Sequence, residues 1–333
     1  MLAKILTGIL LLMGIAAVFL WSEYKLALTT PVVIGQAQLV EIEKGDSFRK
    51  ITKKLLKQNI AIKPKWFKLI AYRDKVSHKL KAGEYELKPG LTMPEILAIF
   101  VAGKSRQYSI TFPEGWSFKQ LLQEIQDNPY LEKTLGAMDF QSIMAKLDSS
   151  YKHPEGLFFP DTYFFEKNTT DFSILKTAHD KMQLILEEEW KNKEKDLPLE
   201  NAYQALILAS IIEKETGAAV ERPQISGVFT RRLRKGMLLQ TDPTVIYGMG
   251  ESYKGNIRYK DLRRPTAYNT YVIKGLPPTP IAMPGRAAIN AAVHPAKGKS
   301  LYFVAKGNGV GTHVFSATLR EHNNAVNKYQ RKR

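Results

Sequence analysis

The stretch Leu206-Ile-Leu-Ala-Ser-Ile-Ile-Glu-Lys-Glu-Thr-Gly217 is a nearly unbroken apolar run that ends in charged residues. Its alanine and leucine content, and its length when counted from about Asn201, favour a helix over a buried strand. Gly217 stands where such a helix would stop. The segment therefore predicts a buried helix with one carboxylate, Glu213, near its C-terminal end.

The predicted helix places Glu213 on a mostly apolar face, which it shares with the residues three, four and seven positions before it: Ser210, Ala209 and Leu206. The last turn also lies at the negative end of the helix dipole. Burial and the dipole both disfavour the ionised carboxylate, so they predict a raised pKa for Glu213. A carboxylic acid that stays protonated near neutral pH suits general acid catalysis. The alternative is that Glu213 simply begins a solvated helix end.

Composition excludes several classes of site. The chain has 333 residues, 44% of them hydrophobic and 24% charged, which is typical of globular proteins and allows a membrane anchor plus two or three folded units. It has no cysteine, which excludes disulfides and thiolate metal sites. Its six histidines form neither an HExxH motif nor a tight cluster, so we expect no metal and no cofactor.

The chain is strongly basic, with a formal net charge of +17. Part of this charge is local, because residues 41–105 contain 15 basic and seven acidic residues. Such a balance indicates attraction to nucleic acid, anionic lipid or another acidic polymer, or merely a soluble basic surface.

The N-terminal segment predicts a membrane anchor. Ile5–Trp21 is an uncharged run of 17 residues after Lys4, at the short end of the spanning range of about 17–25 residues. A cleaved signal peptide is the alternative, but it requires a shorter apolar core and a small-residue cleavage site. We therefore predict an uncleaved anchor with the rest of the chain outside the cytoplasm, which argues against a nucleic-acid partner.

The patterning predicts an α+β protein in four parts. These are a cytoplasmic stub and transmembrane helix over residues 1–25, a linker over 26–38, a small α/β subdomain over 39–105 and a larger mixed α+β domain over 106–333. Within the small subdomain, Lys44-Gly-Asp-Ser-Phe-x-x-Ile51 resembles the opening of a LysM module, a small glycan-binding fold. A structural spacer is the alternative for this subdomain.

Three segments of the larger domain carry structural expectations. Pro129–Ser150 is predicted to be helical. The aromatic-rich loop Glu155–Phe165 can stack against sugar rings or can be core. Gly275–Gly285 holds four prolines within eight residues, which predicts a stiff wall that could line a groove.

Several motifs together resemble the MltG-type (YceG-like) endolytic murein transglycosylases of bacteria, and the resemblance spans nearly the whole chain. The motifs are Glu155-Gly-Leu-Phe-Phe-Pro-Asp-Thr-Tyr163, Ala209-Ser-Ile-Ile-Glu-Lys-Glu-Thr216, Leu239-Gln-Thr-Asp-Pro-Thr-Val-Ile-Tyr-Gly248, Tyr268-Asn-Thr-Tyr271 and Gly275-Leu-Pro-Pro-x-Pro-Ile281.

The resemblance implies cleavage of the β-1,4 bond between N-acetylmuramic acid and N-acetylglucosamine in peptidoglycan, with a 1,6-anhydro end on the product. The family's single catalytic glutamate falls on Glu213. One acid suffices because the sugar's own C6 hydroxyl is the nucleophile, whereas ordinary glycosidases need two carboxylates.

Supporting site residues are also implied, and each could instead be a cap or turn residue. The expected substrate-binding residues are Gln240, Asp242, Tyr268 and Asn269. Glu215, two residues from Glu213, is predicted to be structural because it points to the other side of the helix. Asp161 is the other motif acid that could approach the site.

The resemblance further implies a protein of the cell inner (cytoplasmic) membrane. Its extracytoplasmic domain would act on peptidoglycan glycan strands and work beside the peptidoglycan synthases. Two alternatives stay open: a non-catalytic glycan-binding scaffold, and a hydrolase that cuts with water.

Overall fold

The computed structural model describes residues 2–307 and 311–331. Met1, at the start of the predicted anchor segment, and residues 332–333, at the end of the predicted larger domain, lie outside the described residues. The described chain is a mixed α+β protein, as predicted.

Elements of secondary structure follow one another along the described residues in this order: α1 (Leu2–Thr29), β1 (Gln38–Ile42), α2 (Phe48–Lys57), α3 (Pro64–Arg73), β2 (Gly83–Leu87), α4 (Met93–Ala102), β3 (Gln107–Thr111), α5 (Phe118–Asp127), β4 (Leu131–Glu132), α6 (Phe140–Lys146), β5 (Thr162–Glu166), β6 (Thr169–Thr170), α7 (Asp171–Lys191), α8 (Ala202–Glu215), α9 (Arg222–Arg234), α10 (Asp242–Met249), α11 (Tyr259–Arg263), α12 (Arg286–Val293), β7 (Tyr302–Ala305), β8 (His313–Ser316) and α13 (Leu319–Tyr329). The strands form two-stranded sheets that pair β1 with β2, β3 with β5, β4 with β6 and β7 with β8.

The chain forms two compact units. The first combines Met1–Tyr108 with Phe164–Asn168, and the second combines Ser109–Tyr163 with Thr169–Arg333. The division therefore falls inside both β3 and β5. The predicted boundaries at residues 25, 38 and 105 stay a prediction.

The first unit is built from the order β1-α2-α3-β2, followed by α4. Strands β1 and β2 are antiparallel, with Gln38 opposite Leu87. The Ser47 hydroxyl caps α2 by accepting the backbone N–H of Lys50 at 3.3 Å. The LysM-like assignment of this unit stays a prediction.

The segment Phe164–Asn168 belongs to the first unit although it is distant in sequence. The Lys167 amine donates to Glu41 at 2.9 Å and to Glu84 at 3.2 Å. The Asn168 amide donates to the other oxygen of Glu41 at 3.1 Å. This segment thus supplies polar partners to β1 and β2.

Helix α1 includes a segment that is long and apolar enough to cross a bilayer. Over Lys4–Thr29 it has 26 residues, and its mean hydropathy reaches 2.3. Its C-terminal end is different, because Ala27 is buried in the core of the first unit.

Helix α8 lies at the centre of the second unit and packs against α7, α9, α10 and α12. Its N-terminus is capped by the Asn201 side chain, which accepts the backbone N–H of Gln204 at 3.0 Å. The run Ala205–Ile212 is buried at every position. Because the backbone hydrogen bonds of a helix are internal, this run can be buried without leaving polar groups unpaired. The predicted buried helix is therefore present.

The predicted helix over Pro129–Ser150 is wrong for most of its length, because only Phe140–Lys146 is helical. The residues before it pair as the short strand β4, parallel to β6. The buried Asp171 carboxylate then accepts the backbone N–H groups of Thr134 and Leu135 at 2.9 and 3.2 Å. A tertiary acceptor thus replaces the helical carbonyls that those two N–H groups would otherwise use.

The proline-rich segment makes a close backbone contact at Gly156. This glycine has φ of +79°, and a Cβ built there would overlap the ring of Pro280 and approach the Ala282 carbonyl oxygen to 3.3 Å. Only glycine satisfies both the backbone conformation and the contact.

We expect Gly156→Ala to lower the free energy of unfolding by about 2–4 kcal/mol, from the positive φ and the overlap together. Gly136→Ala is the matched control, since its φ is +54° and no heavy atom lies within 4 Å of an ideal Cβ. The control should lose about 1 kcal/mol in urea unfolding. Equal losses in the two variants would show that the Pro280 contact contributes nothing.

Candidate active site

Glu213 lies in the last turn of α8, and both of its carboxylate oxygens have partners. Oε1 accepts a hydrogen bond from the Arg222 guanidinium at 2.9 Å. Oε2 accepts the backbone N–H of Gly285, directly before α12, at 3.1 Å. The side chain is 6% exposed. The carboxylate is therefore held between α9 and the N-terminus of α12.

Burial raises the pKa of Glu213 above its ordinary value of 4.5, and the charge of Glu114 adds to this effect. The Gly285 N–H and the charges of Arg222 and Lys214 act in the opposite direction. The net direction agrees with the requirement of a general acid.

A second carboxylate, that of Glu114, reaches the same arginine. The Arg222 nitrogen that contacts Glu213 also contacts Oε2 of Glu114 at 3.3 Å. The arginine side chain is 9% exposed, whereas the Glu114 side chain is 47% exposed. A Cβ on Gly285 would overlap the Glu114 carboxylate. The missing side chain at Gly285 thus provides the space that Glu114 occupies.

The turn that carries Glu114 is tied to the proline-rich segment by backbone hydrogen bonds. Gly115 N–H donates to the Met283 carbonyl at 2.8 Å, and Met283 N–H donates to the Trp116 carbonyl at 2.7 Å. The Lys214 amine donates to the Gly115 carbonyl at 3.1 Å. These bonds fix the turn beside the end of α8.

Gln240 and Asp242 lie together, in a place that Glu213 does not line. They border a cavity of about 520 Å³ with Glu215, Arg232 and aromatic side chains. The Tyr271 hydroxyl donates to Asp242 at 2.6 Å, and Arg232 donates to the Gln240 side chain at 3.4 Å.

Two residues that line this cavity, Gln240 and Glu215, are unusual. Gln240 has φ of +51°, a conformation that residues other than glycine seldom adopt. The Thr241 hydroxyl donates to the Glu215 carboxylate. Burial raises the pKa of Glu215 to about 7, partly offset by that hydrogen bond. Glu213 and Glu215 thus meet different partners.

Tyr268 and Asn269 form separate contacts. The Tyr268 hydroxyl shares a hydrogen bond with the Thr279 hydroxyl at 2.8 Å, and its ring lies 4.9 Å from that of Tyr247. Asn269 is 1% exposed, and its amide nitrogen donates to the backbone carbonyls of Asp261, Leu262 and Arg264. That arrangement is typical of a structural asparagine, and its role in substrate binding stays a prediction.

The motif that begins at Glu155 is mostly core. Phe158 and Phe159 are buried, at 0% and 8% exposed. Glu155 itself is 4% exposed and accepts the backbone N–H of Phe118 at 2.9 Å and the Tyr247 hydroxyl at 3.0 Å. Burial raises its pKa to about 7. Within the motif, Asp161 pairs with Lys181 on α7.

Sequence reasoning missed Glu114 and Arg222 as neighbours of Glu213. Arg222 is nine positions from Glu213 and begins the next helix. A basic residue at a helix start is the sequence feature that could have indicated a partner for Glu213. Glu114 contacts Arg222 across 108 residues of sequence, and no local pattern marks that contact. Among the described residues, no group of three or more His, Asp or Glu side chains could hold a metal ion.

Comparison with known sequences gives a consistent result. A model of the YceG-like family matches residues 40–328. A Bacillus subtilis (strain 168) protein named endolytic murein transglycosylase is 34% identical over 307 residues, which are 87% of this chain and 84% of that protein. A Streptococcus pneumoniae serotype 2 (strain D39) protein of the same name is 26% identical over 259 residues, 68% of this chain. The matched part spans 46% of the pneumococcal protein.

A solved structure is also similar. The crystal structure of a yceG-like protein from Listeria monocytogenes aligns with a TM-score of 0.56 and 32% sequence identity. The alignment covers 87% of this chain and 99% of the Listeria chain.

We expect Glu155→Gln to make stability less dependent on pH. The folded-state pKa of about 7 exceeds the ordinary value of 4.5, so the stability that protonated Glu155 contributes is complete below about pH 4.5 and is lost as pH rises through 7. Glutamine keeps both hydrogen bonds, since its oxygen accepts from Phe118 and its nitrogen donates to Tyr247. The variant should therefore be more stable than the unmodified protein at pH 8, by about 2–3 kcal/mol.

Urea unfolding at pH 5 and pH 8 measures this difference. Glu124→Gln, which replaces an exposed carboxylate on α5, is the control and should leave the pH dependence unchanged. A stability change in Glu155→Gln that is the same at both pH values would contradict the expectation.

Proposed function

Because this chain belongs to the YceG-like family, we propose that it is an endolytic murein transglycosylase, the name given to its bacillary and pneumococcal relatives. Its substrate is the peptidoglycan glycan strand, cut between N-acetylmuramic acid and N-acetylglucosamine. The product ends in 1,6-anhydro-N-acetylmuramic acid. The observation that carries the proposal is the buried Glu213 at the end of α8, whose pKa is raised by burial.

In this mechanism Glu213 acts first as acid and then as base. The protonated carboxyl gives its proton to the glycosidic oxygen as the bond from that oxygen to C1 of the muramic acid breaks. The C6 hydroxyl of the same sugar forms a new bond to C1, and its proton passes to the Glu213 carboxylate. The acid is regenerated and no water enters the product. Because the nucleophile is tethered to the sugar, a second carboxylate is not required to supply it.

The Gly285 N–H supports the carboxylate stage of this cycle. It donates to Oε2 of Glu213 from the N-terminus of α12, where the helix dipole is positive. A charge-assisted hydrogen bond of this kind stabilises the carboxylate that remains after proton donation. Burial favours the acid form instead, so the two effects keep both forms accessible.

Substrate binding is proposed for the four predicted residues. Gln240 and Asp242 have the stronger support, because both border an open cavity with hydrogen-bonding and aromatic groups. Tyr268 contacts Tyr247 and Thr279.

We further propose that α1 anchors the protein in the cell inner (cytoplasmic) membrane by a single span. The catalytic unit would then be extracytoplasmic and meet the glycan strands there, beside the peptidoglycan synthases. The length and hydropathy of Lys4–Thr29 support the anchor. A LysM-like role for the first unit in glycan binding belongs to the same proposal.

Hydrolysis is the second candidate, and Glu114 is the observation that favours it. One nitrogen of Arg222 contacts an oxygen of Glu114 at 3.3 Å and an oxygen of Glu213 at 2.9 Å, so these two oxygens lie at most about 6 Å apart. That limit is shorter than the roughly 6.5–9.5 Å of inverting glycosidases and compatible with the roughly 5–5.5 Å of retaining ones. Glu114 would then replace the C6 hydroxyl as nucleophile, and water would hydrolyse the resulting glycosyl–enzyme.

We expect Glu213→Gln to lower the rate of fragment release from purified murein by about 10²–10⁴-fold, because the amide cannot exchange the proton. Glu200→Gln, which replaces an exposed carboxylate just before α8, should retain full activity. Thermal melting shows whether each variant is folded. Full activity in a folded Glu213→Gln protein would reject both the mechanism and the role of Glu213. Absence of fragment release by the unmodified protein would favour the non-catalytic scaffold.

Mass spectrometry of the released fragments separates transglycosylation from hydrolysis. We expect anhydro ends, which lack one water relative to a reducing end, because the C6 hydroxyl stays bonded to C1. Fragments that are one water heavier would show hydrolysis, and Glu114 would then be the residue to test as the nucleophile.

A further inference from the structure

Arg222 is shared by two carboxylates of unequal exposure. The same guanidinium nitrogen contacts Glu213 at 2.9 Å and Glu114 at 3.3 Å. The arginine and Glu213 side chains are 9% and 6% exposed, whereas that of Glu114 is 47% exposed. The Arg222 Nε atom is buried and has no hydrogen-bond partner in the described part of the chain. The charge of Arg222 thus depends on these two anions.

Protonation of Glu213 changes this balance. Under the proposed mechanism Glu213 begins each turnover as a neutral acid, and Arg222 then loses its nearer and more buried counter-ion. A buried charge without a partner is strongly unfavourable. An isolated Arg222–Glu213 pair would therefore oppose the protonation that catalysis requires.

Three features hold the Glu114 carboxylate beside Arg222 and favour its negative charge. Two backbone hydrogen bonds between the Gly115–Trp116 turn and Met283 hold its position. The space left by the missing side chain of Gly285 admits its carboxylate. Because the Glu114 carboxylate contacts solvent, its ionisation costs less free energy than that of a buried carboxylate.

We propose that Glu114 is the counter-ion that keeps Arg222 neutralised while Glu213 carries the proton, and that it is therefore a positioning residue for the reaction. This inference rests on the proposed function of Glu213. In the carboxylate stage Arg222 pairs with both acids, and in the acid stage it pairs with Glu114 alone. The arginine can then remain in one place throughout the cycle.

The electrostatic consequence has a definite sign. The charged groups that face Glu213 are Arg222 from α9, Lys214 from α8 and Glu114 from the turn before α5, and the Gly285 N–H faces it from the start of α12. Replacing Glu114 with glutamine removes a negative charge that favours the acid form. It also leaves Glu213 as the single anion paired with Arg222. Both effects lower the pKa of Glu213.

The test is the pH dependence of kcat/KM for release of fragments from murein, with the 333-residue chain in detergent. In Glu114→Gln the alkaline limb of this pH profile should move to lower pH by about one unit. At pH values above the limb, kcat/KM should therefore fall about tenfold. Glu114→Asp keeps the charge, so its alkaline limb should lie close to that of the unmodified protein.

Asp180→Asn is the matched control. The Asp180 side chain is 56% exposed and pairs with Lys176 at 2.7 Å in the same unit, so its loss removes a comparable surface ion pair. The alkaline limb should stay in place in this variant. An unshifted limb in Glu114→Gln overturns the proposal, whether or not the rate falls, since a fall alone would indicate a direct substrate contact or a structural role.

A second measurement does not depend on activity. The difference in thermal stability between the protein with Glu213 and the protein with Glu213→Gln, followed against pH, reports the titration of Glu213 by linkage. In the Glu114→Gln background that titration should move to lower pH, and an unmoved titration overturns the proposal. If Glu213→Gln retains activity, the proposed function fails. If Glu213→Gln is inactive and the titration does not move, this inference alone fails.

Discussion

The burial of α8 on all sides is the constraint on which the second unit depends. Eight consecutive residues, Ala205–Ile212, leave no position for a charge until the helix reaches its last turn. The two carboxylates of that turn, Glu213 and Glu215, emerge on different sides of the helix. Both interact with arginines of α9: Glu213 pairs with Arg222 at the start of that helix, and Glu215 experiences the charge of Arg232 near its end. The packing of α8 on α9 thus provides each carboxylate with a cation.

Buried carboxylates in this unit also connect segments that are far apart in sequence. Glu155 binds the first N–H of α5, Asp171 binds the loop after β4, and Glu221 binds the backbone N–H and ring of His313. Each connection satisfies a polar group that would otherwise be unpaired in the interior. These contacts therefore specify which loops meet around the core.

Local sequence predicted those features that local forces determine. The helix α8 has a short-range cause, because its apolar run is long enough to be buried as a helix. Gly217 follows the helix as predicted, although the helix ends through an extended Thr216 rather than a left-handed glycine. The prediction for Pro129–Ser150 was wrong because Asp171, distant in sequence, captures backbone N–H groups there.

The candidate site likewise combines a feature that local sequence determines with contacts that tertiary packing determines. The position of Glu213 at the end of a buried helix follows from helical periodicity alone. Its partners Arg222, Gly285 and Glu114 come from three other segments, so their convergence depends on tertiary packing. The four supporting residues came from resemblance, and the structure gives them different surroundings. Hydrophobic periodicity describes one helix or strand at a time and does not predict which of them pack together.

The interleaved chain path has a practical consequence for dissecting this protein into fragments. The polypeptide crosses between its two compact units three times, after Tyr108, after Tyr163 and after Asn168. No single cut separates them into two intact pieces. Truncation after residue 105 would give an N-terminal product whose Glu41 and Glu84 lack the Lys167 ammonium. A faithful isolated first unit requires Phe164–Asn168 to be supplied as well, for example by a grafted loop or a co-expressed peptide.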